Sequence, residues 1–143
     1  MIKTIKIKYH DKDIPRLKKI AQGDLIDLYS AETIELKAGQ SALISLGVSM
    51  KLPEGYKANV YPRSSTFKNW GTLQQNSVGQ IDNSYSGTND IWKYPVYATR
   101  DTTINKGDKI CQFEIVPIMP TVEIEEVESL DDIDRGGFGS TGK

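Results

Sequence analysis

The sequence predicts an all-β protein, a sandwich or barrel of short strands. Apolar residues recur at every second position through most of the chain, spacing typical of a helix is almost absent, and clusters of Gly, Pro and Asn punctuate the apolar runs. Ile5, Ile7 and Tyr9 alternate with Lys6, Lys8 and His10, the pattern of a strand with one buried face. Ile14, Leu17 and Ala21 fall at helical spacing with Pro15 suited to a first turn, so Ile14 to Ala21 reads as a short helix. Ile26, Asp27 and Leu28 read as strand. Ala42, Ile44, Leu46, Val48, Met50 and Leu52 keep one alternation until Pro53-Glu54-Gly55 breaks it, and Tyr56, Ala58 and Val60 restart it. Asn76, Gly79 and Gly87 bracket a hairpin of unusual backbone. Asn105-Lys106-Gly107-Asp108 is a turn between Thr102 to Ile104 and the run Ile110 to Val116, and Val122 with Ile124 suggests one last strand. The acidic stretch Glu123 to Asp134 follows, then the ending DRGGFGSTGK.

Composition narrows the function. A chain of 143 residues fits one domain, expected over 1–143, with one real core. With 18 basic and 19 acidic residues the net charge is -1, which offers no general attraction to nucleic acid or to an anionic membrane. Phosphate chemistry, if present, is local. Cys111 and His10 are the only residues of their kinds, which excludes disulfide frameworks, Cys/His zinc sites and histidine triads. No long apolar run or N-terminal apolar segment is present, so a soluble, cytoplasmic protein is expected.

Several stretches carry polar groups in positions that need a reason. Asp27 lies between apolar neighbours; taken alone it reads as a solvated strand residue. YPRSSTFKNWG places Arg63, Ser64 and Ser65 beyond a strand, where a guanidinium fork and hydroxyl donors make a small anion cradle, or simply a turn. In NSVGQIDNSYSG, backbone groups could read a base edge as a neighbouring strand would. Asp82, three residues before Tyr85, is either a general base or a residue stabilising a turn. Gln112 sits in an otherwise apolar strand, where its amide requires a partner. The tail holds four glycines in its last nine residues, suited to close backbone approach.

In order and spacing, Arg-Ser-Ser, Gly-x-Ile-Asp-x-x-Tyr-x-Gly, Gly-Asp-Lys-Ile-x-Gln and Arg-Gly-Gly-Phe-Gly-Ser-Thr-Gly resemble the motifs of the homotrimeric dUTPases, from Asp27 to Gly142. The resemblance implies a jelly-roll subunit, a homotrimer with active sites between subunits, and hydrolysis of dUTP to dUMP and pyrophosphate with Mg²⁺ on the triphosphate. It implies Asp82 as the carboxylate that activates water, Tyr85 under the deoxyribose, and Asn76 with Gly79, Gln80 and Ile81 as the uracil-reading edge. Arg63, Ser64, Ser65 and Gln112 are implied as phosphate ligands, with Arg63 close to the catalytic acid. Asp27 would support the metal through water. Residues 135–143 would be a mobile lid crossing to a neighbour, with Phe138 on the uracil and Arg135, Gly139, Ser140 and Thr141 towards the phosphates.

The chain departs from the family pattern at Ser84, where many relatives carry a second acid, at Tyr29, where arginine is frequent, and in a shortened final motif. A long Thr88 to Trp92 turn suggests a Gram-positive bacterial or phage-type branch. Two rivals are weighed. A dCTP deaminase shares the fold, but relatives of that kind place a glutamate on the strand after the hairpin and Ile91 to Thr99 holds no acid. A binding module that lost catalysis is opposed by the presence of every implied polar group, while a regulatory protein partner is compatible with activity.

Overall fold

The computed structural model describes residues 2–139; Met1 and residues 140–143, with the expectations for Ser140 and Thr141, lie outside the described residues. The fold is jelly-roll-like, with eleven strands and one helical turn in the order β1 (Lys6–Tyr9), β2 (Ile26–Tyr29), β3 (Ile34–Leu36), β4 (Ser41–Ser45), β5 (Val48–Lys51), β6 (Tyr56–Pro62), α1 (Thr66–Trp70), β7 (Thr72–Gln74), β8 (Gly79–Ile81), β9 (Lys93–Ala98), β10 (Thr102–Ile104) and β11 (Lys109–Pro117). They form a four-stranded sheet β2-β11-β6-β8, a three-stranded sheet β4-β9-β7 and two ribbons, β1-β5 and β10-β3, every pairing antiparallel.

The alternation that defines the strands also makes the core. Ile44, Leu46, Val48, Met50 and Leu52 are all buried, in phase as the sequence predicts, but the run is two strands rather than one. Gly47 turns the chain between them with φ +69, so β4 joins β9 while β5 leaves to join β1. A Cβ there would stand 2.8 Å from Ala31 Cβ, and the backbone is in the region that favours glycine. Trp92 and Phe113 meet edge to face with centroids 5.2 Å apart, linking the segment before β9 to β11 across the core.

Two further expectations change. Residues 14–21 form no helix; Ile14 is buried, and Leu17 donates its N–H to the Tyr9 hydroxyl at 2.8 Å while Arg16 stacks over the Tyr9 ring. Eight residues are too few to hold a helix unaided, and Tyr9 supplies partners to an irregular path instead. Val122 and Ile124 form no strand and are exposed, because β11 already has β2 and β6 on its two edges and no other strand among the described residues takes the segment. The helical turn α1 was not foreseen. It ends at Gly71, whose φ of 64 and N–H to the Phe67 carbonyl close the last turn.

Candidate active site

The hairpin expected between Asn76 and Gly87 is absent, because β8 is the single strand in that stretch and it pairs with β6, Val60 facing Gly79 and Ala58 facing Ile81. The positive φ falls on Ser77, at 59, rather than on the glycines. Gly79 serves another end: a Cβ would lie 3.1 Å from Val60 Cβ, so its lack of a side chain lets β8 sit against β6. β8 is the last strand of its sheet, and its outer backbone edge has no strand partner. Beside it, Gln74 Nε2 donates to the Val60 carbonyl at 3.0 Å and to Asn76 Oδ1 at 2.9 Å, which leaves the Asn76 amide N–H groups directed elsewhere. Gln74 Oε1 is buried without a hydrogen-bond partner.

Beyond β8 the chain enters a cleft of about 400 Å³ lined by Gln80, Ile81, Asp82 and Tyr85, with Leu43, Ile91 and Lys93. Tyr85 donates its N–H to the Asp82 carbonyl at 3.0 Å and its hydroxyl to the Ile91 carbonyl at 2.9 Å, so the ring is pinned at both ends beside the acid. Asn83 anchors the segment by donating to the Pro53 and Tyr56 carbonyls at 3.0 and 2.8 Å. Asp82 itself is exposed and makes no ion pair among the described residues. Lys93 is the one cation lining this cleft among the described residues. Leu43, Asn83, Lys93, Ile91 and Gln74 were not foreseen as site residues. Leu43 had a signal, an apolar residue out of phase in an alternating strand, exposed at 58%.

A second cluster lies at the other end of β6. Arg63 Nε donates to Asp27 Oδ1 at 2.9 Å and Nη1 reaches Ser65 Oγ and the Lys109 carbonyl at 3.4 Å. Lys109 Nζ stands 3.9 Å from the other oxygen of Asp27. The Thr66 hydroxyl, fully buried, accepts the Arg63 N–H at 2.8 Å and donates to the Ile110 carbonyl, fixing where the arginine leaves the strand. Gln112 donates to the Pro62 carbonyl at 3.1 Å, and Ser64 is exposed. Burial first, then the Asp27 charge, pushes the Tyr29 hydroxyl and the Cys111 thiol above their ordinary pKa values.

The two clusters are not neighbours within one chain. Ile81 faces Ala58, so Asp82 falls level with Lys57, and Arg63 is six residues further along, about 20 Å at strand rise. The expected closeness of Arg63 to Asp82 therefore does not occur inside one protomer. Arg135, Phe138 and Gly139 are likewise outside the cleft lining; Phe138 is fully exposed with φ 51, next to Gly139 at φ 87. Among the described residues no group of three or more His, Cys, Asp or Glu could hold a metal, and Asp27 is engaged with two cations. This donor set does not fit a resident metal; it fits an ion carried on a triphosphate, which keeps its waters and needs few protein ligands.

A jelly-roll protein with a strand edge, a carboxylate and a pinned aromatic ring in one cleft, and a guanidinium cluster apart from it, has the parts of a nucleotide-handling enzyme. The dUTPase family model matches residues 14–142, and the chain belongs to the dUTPase family. It is 56% identical over 138 residues to the SPbeta prophage-derived deoxyuridine 5'-triphosphate nucleotidohydrolase of Bacillus subtilis, covering 96% of this chain and 97% of that one. It is 41% identical to the Clostridium acetobutylicum deoxyuridine 5'-triphosphate nucleotidohydrolase, covering 97% of each. Its fold resembles that of the Staphylococcus bacteriophage 80alpha dUTPase solved with dUPNHPP, at TM-score 0.82 and 24% identity over 98% of this chain and 99% of that one. It also resembles a variant dUTPase from phage phi11 of S. aureus, described with a structural Mg(II) ion, at TM-score 0.77 and 22% identity over 90% and 99%.

Proposed function

We propose that this chain hydrolyses dUTP to dUMP and pyrophosphate through a site completed by neighbouring copies in a homotrimer. The observation that supports this most is the cleft that joins the open edge of β8 to Asp82 and Tyr85. Uracil carries an acceptor–donor–acceptor edge that pairs with backbone N–H and C=O groups of Gly79, Gln80 and Ile81 and with the Asn76 amide, as a strand pairs with its neighbour. Tyr85 lies under the deoxyribose, where a 2′-hydroxyl would meet the ring. Asp82 takes a proton from a water as its oxygen attacks the α-phosphorus; the bond from that phosphorus to the bridging oxygen breaks and pyrophosphate leaves with the electron pair. Mg²⁺ bound to the triphosphate would neutralise part of its charge.

Arg63, Ser64, Ser65 and Gln112 of another copy hold the phosphates, since within one chain Arg63 lies about 20 Å and Gln112 about 13 Å along β6 from Asp82. Asp27 holds Arg63 Nε, presenting the rest of the guanidinium outward, and through water it supports the triphosphate's metal. Residues 135–143 close the site, Phe138 stacking on the base and Arg135, Gly139, Ser140 and Thr141 reaching the phosphates. Residues 1–143 act as one unit with that lid, working in the cytoplasm on the nucleotide pool. Among the described residues no helix is long and apolar enough to cross a membrane.

The test is incubation with Mg²⁺ and dUTP, UTP, dTTP or dCTP, with both pyrophosphate release and deamination followed by chromatography. Pyrophosphate and dUMP from dUTP alone are expected, and UTP at comparable rate would contradict the role of Tyr85. Deamination of dCTP would replace the proposal with the deaminase reading.

A further inference from the structure

Gln74 stands where two sheets meet. Its backbone belongs to β7, opposite Val96 of β9, while its side chain reaches across to β6 of the other sheet and lies over Gly79 at the start of β8. A Cβ on Gly79 would come within 3.4 Å of Gln74 Nε2 and 3.6 Å of Asn76 Nδ2, so the bare glycine is the floor on which both amides rest. The tight turn after β7 brings the two side chains together: Ser77 donates its N–H to the Gln74 carbonyl at 3.2 Å and Val78 to the Asn76 carbonyl at 2.6 Å.

The orientation of both amides follows from one backbone atom. The Val60 carbonyl can only accept, so the group facing it at 3.0 Å is the Gln74 nitrogen. That nitrogen has a second N–H, which Asn76 Oδ1 meets at 2.9 Å. Asn76 therefore turns its oxygen inward, and its N–H donors are what it offers to a ligand. The arrangement has a cost, since Gln74 Oε1 is buried without a hydrogen-bond partner among the described residues. An apolar side chain of similar size would avoid that cost but would leave Asn76 free to turn over.

We infer that Gln74 is a positioning residue for base selection: by holding Asn76 Oδ1 inward it makes Asn76 a donor only, aimed at the C4 oxygen of uracil and against the C4 amine of cytosine. The two bases differ at that position, an accepting oxygen in one and a donating amine in the other. An asparagine that nothing holds can present either its oxygen or its nitrogen, and so adapts to both bases. One that is held sets donor against donor when cytosine enters, which is discrimination by an unpaired polar group. It also meets uracil without first losing rotational freedom. The inference rests on the base-reading role proposed for Asn76.

The test is the ratio of dissociation constants of the full-length protein for α,β-imido dUTP and α,β-imido dCTP, titrated calorimetrically with Mg²⁺, with Tm measured alongside. Gln74→Met keeps the reach of the side chain and removes its donors; the preference for uracil should narrow about two- to ten-fold, the worth of one net hydrogen bond. Gln74→Glu offers only acceptors at neutral pH, so Asn76 turns its N–H groups inward and its oxygen outward. The preference should then fall by about ten-fold or more, with the dCTP analogue bound more tightly than by the parent. Neither shift should appear in an Asn76→Ala background, because Gln74 acts through Asn76. If Gln74→Glu does not fold beside the Val60 carbonyl, Gln74→Met and its Asn76→Ala combination decide alone. Equal changes for the two analogues, whatever the Tm, or shifts that persist without the Asn76 amide, overturn the inference and leave Gln74 as a tie between sheets. Asn76→Asp separates that failure from one of the reading beneath it, since it keeps an oxygen for Gln74 and turns a second oxygen outward. Preference lost in Asn76→Asp but unaltered in the Gln74 variants sinks the inference alone; preference intact in Asn76→Asp sinks the base-reading role and the inference with it.

Discussion

Replacing Gly79 by Ala probes fold and chemistry together. The added Cβ would lie 3.1 Å from Val60 Cβ, 3.4 Å from Gln74 Nε2 and 3.6 Å from Asn76 Nδ2. Carbon atoms prefer about 3.5–4.0 Å, so β8 must lift from β6 by about half an ångström. Rotation cannot relieve the contact, since both atoms are fixed to paired backbones and Val60 is buried in the core. Gly79 does not have positive φ, so alanine adds no backbone strain and the contact alone sets the cost. Overpacking of this kind costs about 1–3 kcal/mol, which for a chain of this size lowers Tm by about 3–12 °C. The lifted edge also carries the proposed uracil-reading groups next to Asn76, and loss of one good hydrogen bond there raises KM about ten-fold. Circular dichroism melts and steady-state kinetics on dUTP measure both. A Tm within 1 °C of the parent with unchanged KM would refute the close-packing account of β8; a large Tm loss with unchanged KM would separate the edge from substrate binding.

Asp82→Asn should lower kcat by about 10² to 10⁴ while dUTP binding, followed with a non-hydrolysable analogue, is retained; near-normal turnover removes Asp82 as the base. Deleting residues 135–143 should abolish most turnover with Tm unchanged, because Arg135, Phe138 and Gly139 pack outside the core. Cys111 is fully buried and its thiol is held above its ordinary pKa, so a thiol-disulfide reagent at pH 8 should find no reactive thiol in the native protein and one after denaturation. Gly47→Ala should destabilise the fold by about 2–4 kcal/mol in chemical denaturation, from left-handed backbone and the 2.8 Å approach to Ala31 combined.

What could be read from the sequence was what neighbouring residues decide. Five of the residues expected to face inward over 42–52, Ile44, Leu46, Val48, Met50 and Leu52, are buried, since alternation depends only on which face meets the core, but Gly47 and Ser49 between them are buried as well and Ala42 is half-buried. Where the chain changes partners, at Gly47, depends on strands far away in sequence, and the alternation runs through that point without a break. The same limit explains residues 14–21, whose helical spacing lost to hydrogen bonding with Tyr9. Asp82 and Tyr85 line one cleft and lie three residues apart, so their nearness is legible in the local sequence. Leu43 and Lys93 reach their cleft from a different sheet, and the separation of Arg63 from Asp82 is a matter of register along β6, which no local spacing records.

The short edge strand β8 has a further meaning. An unpaired strand edge invites a strand from another molecule, and long exposed edges are sites of aggregation. β8 has three residues, begins at a glycine packed against Val60 and runs directly into a charged carboxylate at Asp82. That is room for the pairing edge of one nucleobase and too little for the ladder of another polypeptide. On the proposed reading of the site, the protein thus keeps an adhesive surface open to solvent by making it the size of one nucleobase.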